Sequence, residues 1–164
     1  MANLAFTCRN QGMWDEAERL EVGIMNATKT KLGSDHPDTL TNMANLACTY
    51  GNQGRWDEAE KLEVDVMNKR NTKLGSDHPD TLTSMANLAS TYRNQGKLDE
   101  AHSLLSHAVQ AMQKFMGTNH PTVLHHIEEL NRHSEAAQYD ETQVVPLVCM
   151  HLCFNVTVAN SIFP

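Results

Sequence analysis

Apolar residues recur at helical spacing in two successive stretches in the middle of the chain. The first series is Leu40, Met43, Ala44, Ala47 and Tyr50, and the second is Trp56, Ala59, Leu62 and Val66. Steps of three and four residues predict two amphipathic helices. We name them helix A, which ends near residues 51–54, and helix B, which continues to Leu74. Gly75 follows, and a glycine at this point predicts a left-handed C-terminal cap.

The same pair of patterns returns at a fixed period. His36, His78 and His120 each precede a proline and stand 42 residues apart. A period in this range is typical of a solenoid, in which each unit buries its apolar face against its neighbours. We therefore expect one all-α repeat domain over residues 1–138, with units 1–36, 37–78 and 79–120 and a partial unit 121–138. Residues 139–164 are expected to be a tail, either poorly ordered or docked on the last helix.

Both ends of the repeat array depart from the pattern. Met1 aligns with Met43, which lies inside helix A, so the first turn of the first helix A is missing. We expect the chain to be a fragment of a longer array. At the other end, Asn131, Ser134 and Gln138 take the small, aromatic and glycine positions of the repeat. This change predicts a terminal capping helix with a polar outer face.

The unit N-L-A-x-x-Y-x-x-x-G, followed by E-A-E-x-L, resembles the tetratricopeptide repeat. Its leucine, small, aromatic, glycine and alanine positions fall in the middle unit on Leu46, Ala47, Tyr50, Gly54 and Ala59. The usual period is about 34 residues. The longer period here and the L-G-x-D-H-P connector are similar to kinesin light chain repeats, and similar arrays end many nucleotide-binding receptors. The resemblance implies a right-handed superhelical solenoid of antiparallel helix pairs, with about three pairs plus a C-terminal capping helix.

The resemblance also implies where a ligand binds, because helix A of such repeats lines the concave face. Asparagine amides suit a peptide backbone, and arginines in flanking units would favour an acidic peptide. Gly51 replaces arginine in the middle unit. The predicted groove residues are Asn3, Arg9, Asn10, Thr41, Asn45, Asn52, Thr83, Asn87, Arg93 and Asn94. Duplication alone would also make these positions recur, so recurrence does not by itself establish contact with a ligand.

Charge and composition exclude several classes of partner. The formal net charge is −7, from 20 acidic and 13 basic residues, which argues against a nucleic-acid partner. The apolar stretch 144–158 is shorter than the roughly 20 residues of a membrane-spanning helix, so no membrane partner is expected. The four cysteines form no disulfide framework and no secretory signal precedes them, which favours the cytoplasm.

Catalytic and metal-binding patterns are weak in this sequence. The candidate zinc ligands are His125, His126, His133, Cys149, His151 and Cys153. The spacing Cys-x3-Cys matches no strong zinc pattern. The recurring D-E-A-E carboxylates are interpreted as groups that complement the positive end of the helix B dipole. No nucleophile has a plausible base, so we expect no enzyme activity, no cofactor and no metal.

These observations predict a non-catalytic protein–protein interaction module that binds a peptide or protein segment in the concave groove. A first alternative is a fragment of a kinesin light chain-like cargo adaptor, or the sensor repeats of a nucleotide-binding receptor. A heptad coiled coil and a phosphate-binding loop, which those proteins carry, have no counterpart in this sequence. A second alternative is a structural or self-associating array that pairs through the exposed end of the stack.

Overall fold

The computed structural model describes residues 2–121, 123–128 and 130–131, all of them in helices or in the short connections between helices. The helices are α1 (Ala2–Asn10), α2 (Trp14–Leu32), α3 (Pro37–Asn52), α4 (Trp56–Leu74), α5 (Pro79–Asn94) and α6 (Leu98–Met116). The described residues from 121 to 131 are also helical. The odd-numbered helices are the A helices and the even-numbered ones the B helices. The predicted tail and residues 132–138 of the predicted capping helix lie outside the described residues.

The two full-length A helices begin at the histidine–proline pairs. His36 and His78 are the N-cap residues, and their Nδ1 atoms accept the backbone N–H of Asp38 and Asp80 at 3.2 and 3.1 Å. The proline that follows has no N–H to leave unsatisfied in the first turn and has φ fixed near the helical value. The connector histidines therefore have a structural role as helix caps.

The B helices end at glycines of positive φ, although not in the predicted left-handed cap. Gly75 has φ +92° and ψ 163°, and its N–H donates to the carbonyl oxygen of Asn71 at 3.0 Å. A left-handed helical residue has ψ near about +47°. The prediction is therefore right about the sign of φ and wrong about the conformation. Only glycine adopts this region of φ and ψ without strain.

The stack is held together mainly by contacts between helices that are consecutive in the chain. Ala17, Ala59 and Ala101, at the same position of the three B helices, are 0% exposed. Their small side chains allow close approach of the paired A helices. Leu46 and Leu88 from the A helices are 2% and 1% exposed and fill the seam between units. Apolar clusters join neighbouring units: one contains Met25, Leu40 and Val66, and another contains Met67, Leu82 and Met112.

A set of polar contacts, which we name the latch, joins the first unit to the second and the second to the third along one edge of the stack. Gln53 Nε2 donates to Asp15 Oδ1 at 3.2 Å and to Glu18 Oε2 at 2.9 Å, and Arg55 Nη1 donates to Glu18 Oε2 at 2.8 Å. The next junction repeats these bonds 42 residues later, from Gln95 and Lys97 to Asp57 and Glu60.

The latch corrects the interpretation of the D-E-A-E carboxylates as dipole partners alone. Asp15 does lie in the first turn of α2, but it also accepts a hydrogen bond from the following unit. Exposed ion pairs contribute little individually. The same bonds nevertheless recur at both of these junctions, so the units are joined there through equivalent residues.

The first unit has an open apolar face. Leu4 and Phe6 of α1 are 54% and 56% exposed, whereas Leu46 and Leu88, the equivalents of Leu4, are almost fully buried. The later A helices α3 and α5 contact the B helices α2 and α4 that precede them, whereas no described helix precedes α1. Cys8, which takes the place of the tyrosine of other units, is nevertheless 3% exposed and packs inside the first unit.

Candidate functional site

Two cavities lie between successive A helices, with a B helix as their floor. The first junction cavity, between α1 and α3, has a volume of about 190 Å³ and the second, between α3 and α5, about 340 Å³. The first is lined by Ala5, Phe6, Arg9, Glu21, Ile24, Asn42 and Asn45. The second is lined by Ala47, Cys48, Gly51, Asn52, Trp56, Glu63, Asn87, Ser90, Thr91 and Asn94. Each cavity is lined by some of the residues predicted for the groove, such as Asn45 in the first and Asn87 in the second.

The structure divides the predicted groove residues into those that line a cavity and those that do not. Arg9 and Asn45 line the first cavity, and Asn52, Asn87 and Asn94 line the second. The others lie outside both cavities: Asn3, Asn10, Thr41 and Thr83 are exposed, and Arg93 is half-buried. Arg93 Nη2 donates to Ser90 Oγ at 3.3 Å, at the rim of the second cavity.

Arg9 is engaged in an internal ion pair. Its Nη1 lies 3.5 Å from Glu21 Oε1 and donates to the carbonyl oxygen of Asn45 at 3.1 Å. The side chains of Arg9 and Glu21 are only 15% and 6% exposed. This arginine therefore neutralises a buried carboxylate of its own unit. Of the two arginines predicted to attract an acidic peptide, Arg9 is already paired within the chain.

Sequence reasoning missed the two buried glutamates on the cavity floors. Glu21 and Glu63 occupy the same position of α2 and α4, and each is 5% exposed. Glu21 Oε2 accepts a hydrogen bond of 2.6 Å from the hydroxyl of Thr49, on the A helix of the next unit. Thr91, 42 residues after Thr49, donates in the same way to Glu63. A signal was present, because both glutamates lie four residues after a buried alanine on the apolar face of helix B.

Glu63 differs from Glu21 in having no ion-pair partner among the described residues. Among the residues that the structure describes, its Oε2 atom has no hydrogen-bond partner. Burial raises the pKa of Glu63 to about 7, and the hydrogen bond from Thr91 offsets only part of that rise. A carboxylate in this state is either protonated or poorly neutralised near neutral pH.

The missing cation traces to Gly51, which stands where the first unit has Arg9. A Cβ atom at Gly51 would lie 3.0 Å from Cζ3 of Trp56, so the indole ring packs directly over the glycine. Because residue 51 has no arginine side chain, the buried carboxylate of Glu63 has no cation from this position, and a cavity lies beside it. The glycine can be read from the sequence, but only the fold shows that it leaves Glu63 without a cation.

Cys48 is the one thiol that lines the second cavity. Partial desolvation, and then the neighbouring carboxylates Glu63 and Glu21, raise the pKa of this thiol. A thiol with a raised pKa is a poor nucleophile, because the thiolate is the reactive form. Cys48 is therefore not activated as a nucleophile.

The described part of the chain contains neither a metal-binding cluster nor a membrane-spanning helix. No group of three or more metal-binding side chains occurs among the described residues. His133, Cys149, His151 and Cys153, which belong to the candidate zinc set, lie outside them. No helix within the same ranges is both long and apolar enough to cross a membrane.

A family model described as tetratricopeptide repeat matches residues 1–38, 39–80 and 81–122. These three matches follow the three units read from the sequence, with boundaries within two residues of those predicted. No curated protein matches the chain. The motif-based resemblance to this repeat family is thereby confirmed.

Solved structures of kinesin light chain type are similar to this chain. One is a kinesin light chain-like protein from Podosopora anserina with nearly identical TPR-like repeats, at 31% identity and a TM-score of 0.79. That match covers 84% of this chain and 65% of the other. A single-substitution variant of the same protein matches at 27% identity and a TM-score of 0.78, covering 94% of this chain and 74% of that one.

A more distant structure shares the fold. BtubC (BKLC) from P. vanneervenii matches at 15% identity and a TM-score of 0.71, over 99% of this chain and 66% of that chain. At this identity the match concerns the solenoid alone. Together these structures confirm the all-α repeat solenoid predicted from the sequence.

Proposed function

We propose that this chain, which belongs to the tetratricopeptide repeat family, binds a protein or peptide segment in the groove between its A helices. Repeats of this family are generally protein-interaction modules, and the proposal narrows that role to one surface. It assigns no catalysis and no cofactor to the chain. It places the protein in the cytoplasm, where the free thiols of Cys8 and Cys48 would remain reduced.

The observation that carries the proposal is the pair of cavities between successive A helices. Their walls combine amide side chains, such as Asn45 and Asn87, with a buried carboxylate below. Amides can donate to and accept from the backbone of an extended segment whatever its side chains are. A concave site with a few converging polar groups is the usual form of a binding site.

The similarity to a kinesin light chain-like protein suggests a setting for this binding. The chain spans 65% of the length of that protein's solved chain. We propose that the groove serves as the cargo- or partner-binding part of a larger assembly. The alternative setting is the sensor repeats of a nucleotide-binding receptor. In either setting the partner would bind in the same groove.

The groove is tested by selecting binders from a random-peptide display library and measuring their affinity by fluorescence polarisation. We expect micromolar binding, about −8 kcal/mol, because the peptide must be ordered when it binds. The variant Asn45→Ala/Asn87→Ala should weaken binding about tenfold or more, since each lost amide leaves backbone groups of the peptide unpaired.

The matched control removes two asparagines from the opposite side of the stack. Asn26 and Asn68 are exposed and stand 42 residues apart on α2 and α4. Asn26→Ala/Asn68→Ala should leave the affinity unchanged. Equal losses in the two double variants, or no selected peptide at all, would contradict binding in the groove.

A second candidate function is self-association through the open face of the first unit. The exposure of Leu4 and Phe6, against burial of the residues equivalent to Leu4, is the observation that favours it. An exposed apolar face of this kind marks an interaction surface. In this case the occupant would be the same face of a second copy.

Leu4→Glu tests this candidate. A charge on the apolar face would oppose its burial, so any dimer should dissociate at least tenfold more readily in the variant. Light scattering over a range of concentrations measures the mass of both proteins. A mass that stays monomeric in the unmodified chain at high concentration would rule out self-association.

A further inference from the structure

We propose that the second junction cavity binds the guanidinium group of an arginine side chain carried by the segment that lies in the groove. The inference rests on the proposed function and names the chemistry of its ligand. In this arrangement the incoming arginine pairs with Glu63, on the cavity floor. The ligand class is therefore a basic segment, the opposite of the acidic one that two arginines in the A helices had suggested.

The first junction cavity supplies the precedent within the same molecule. There, the guanidinium of Arg9 lies beside Glu21 and donates to the carbonyl oxygen of Asn45. The second junction has the equivalent carboxylate, Glu63, and the equivalent asparagine, Asn87, 42 residues further along the chain. Gly51 stands in the place of the arginine, and Cys48, Val66 and Ser84 stand where the first cavity has Phe6, Ile24 and Asn42. A guanidinium from a partner would complete the arrangement that the first junction completes by itself.

The shape of the second cavity fits such a side chain. Its volume is about 340 Å³, against about 190 Å³ for the first cavity, where Arg9 is itself part of the wall. Gly51 and Trp56 line it together, so the indole ring is one of its walls. A guanidinium stacks favourably on an aromatic face and can donate several parallel hydrogen bonds. These features favour arginine over lysine.

The charges around Glu63 also favour a cation. Its Oε2 atom has no partner among the described residues, although the residue is only 5% exposed. The titratable groups that face it are Glu60 on the same helix, Cys48 from α3 and Tyr92 from α5. None of these three is a cation; the cation at the cavity rim, Arg93, donates to Ser90. A bound guanidinium would therefore meet an uncompensated acceptor in a site shielded from water.

Binding should depend on pH in a defined direction. The pKa of Glu63 is raised to about 7, so the carboxylate is mostly protonated at pH 6 and mostly ionised at pH 8. Only the ionised form pairs with a guanidinium. The affinity for arginine should therefore rise about tenfold between pH 6 and pH 8, following the ionised fraction of a group that titrates near 7.

The experiment uses two blocked pentapeptides, Ala-Ser-Arg-Ser-Ala and the same sequence with citrulline in place of arginine. Citrulline has nearly the shape of arginine and no charge. Each is titrated into the full chain while the backbone amide signals of Gly51, Glu63 and Asn87 are followed by NMR. We expect the arginine peptide to shift these signals and the citrulline peptide to bind about tenfold more weakly or worse.

Three variants of the chain assign the effect to the cavity. Glu63→Gln should weaken the arginine peptide about tenfold or more and abolish the pH dependence. Gly51→Arg supplies the cation from the chain itself and should compete with the peptide. Gly51→Ala adds the same Cβ atom near Trp56 without the charge, so it should bind the arginine peptide more tightly than Gly51→Arg does.

Equal binding of the two peptides, or an affinity for arginine that Glu63→Gln does not change, would overturn the inference. The proposed function fails separately. If display-selected peptides require Asn45 and Asn87 but bind Glu63→Gln with unchanged affinity, the arginine site is contradicted and binding in the groove is supported. If the arginine peptide binds through Glu63 but no display-selected peptide binds in the groove, only the proposed groove function is contradicted.

Discussion

Glu63→Gln is expected to increase the free energy of unfolding at pH 8 by about 3 kcal/mol. The pKa of Glu63 is raised from 4.5 to about 7 in the folded chain, mainly by burial. Each tenfold change in the ionisation equilibrium corresponds to about 1.4 kcal/mol, so the ionised carboxylate opposes folding by this amount. Glutamine keeps the shape of the side chain and an acceptor for Thr91 without the charge.

The sign of the pH dependence follows from the direction in which the pKa moves. Between pH 4.5 and 7 the folded chain holds this proton more tightly than the unfolded chain does. The stabilisation due to protonated Glu63 is complete below the unfolded pKa and is lost as the pH rises through about 7. The unmodified chain should therefore gain about 2 to 3 kcal/mol relative to Glu63→Gln when the pH falls from 8 to 5.

Urea unfolding of the two proteins at pH 5, 6.5 and 8 measures this difference. The comparison cancels the carboxylates whose pKa values are lowered, such as Glu18 and Glu60, since both proteins contain them. The stability that these groups contribute is lost as the pH falls and would otherwise hide the effect. Parallel stability curves for the two proteins would show that Glu63 does not carry the raised pKa.

Arg9→Ala is expected to lower the free energy of unfolding by about 3 kcal/mol. Removal of one partner from a buried ion pair leaves the other charge without compensation, which is more costly than removal of the whole pair. Here the stranded group would be Glu21, whose side chain is 6% exposed. The double variant Arg9→Ala/Glu21→Gln should recover most of the loss.

The matched control is Arg19→Ala on the solvent side of the same unit. Arg19 Nη2 lies 2.6 Å from Glu16 Oε1, but the arginine side chain is 75% exposed. A pair of this kind should contribute almost nothing measurable to stability. Urea unfolding of the four proteins measures the differences. Similar small effects for Arg9→Ala and Arg19→Ala would show that burial of the Arg9–Glu21 pair has no energetic consequence.

Sequence periodicity predicted the fold well because repeats constrain it many times over. The series from Leu40 and from Trp56 placed α3 and α4 with almost the observed bounds. Helix spacing is a local property, and three copies of one pattern give consistent signals. The conformation of Gly75 was less predictable, since positive φ allows more than one value of ψ and the connector that follows decides between them.

The candidate site was only partly predictable, for a physical reason. The register of the A helices was enough to bring Asn45, Asn52, Asn87 and Asn94 to the cavities. Glu63 was missed because a glutamate is ordinarily assigned to the solvent side of a helix. Its carboxyl group accepts a hydrogen bond from Thr91 of the following unit, 28 residues away, and Gly51 supplies no cation beside it. No pattern within a single helix contains that information.

The repeated latch has a consequence for how such a protein changes length. The acceptors offered by Asp15 and Glu18 are the same as those offered by Asp57 and Glu60, and the donors that meet them also correspond. A 42-residue segment inserted between these two junctions would therefore present the same acceptors and donors at its new joints. The latch residues can therefore stay the same as units are added, while an exchange of arginine for glycine at one position changes the charge of a single cavity.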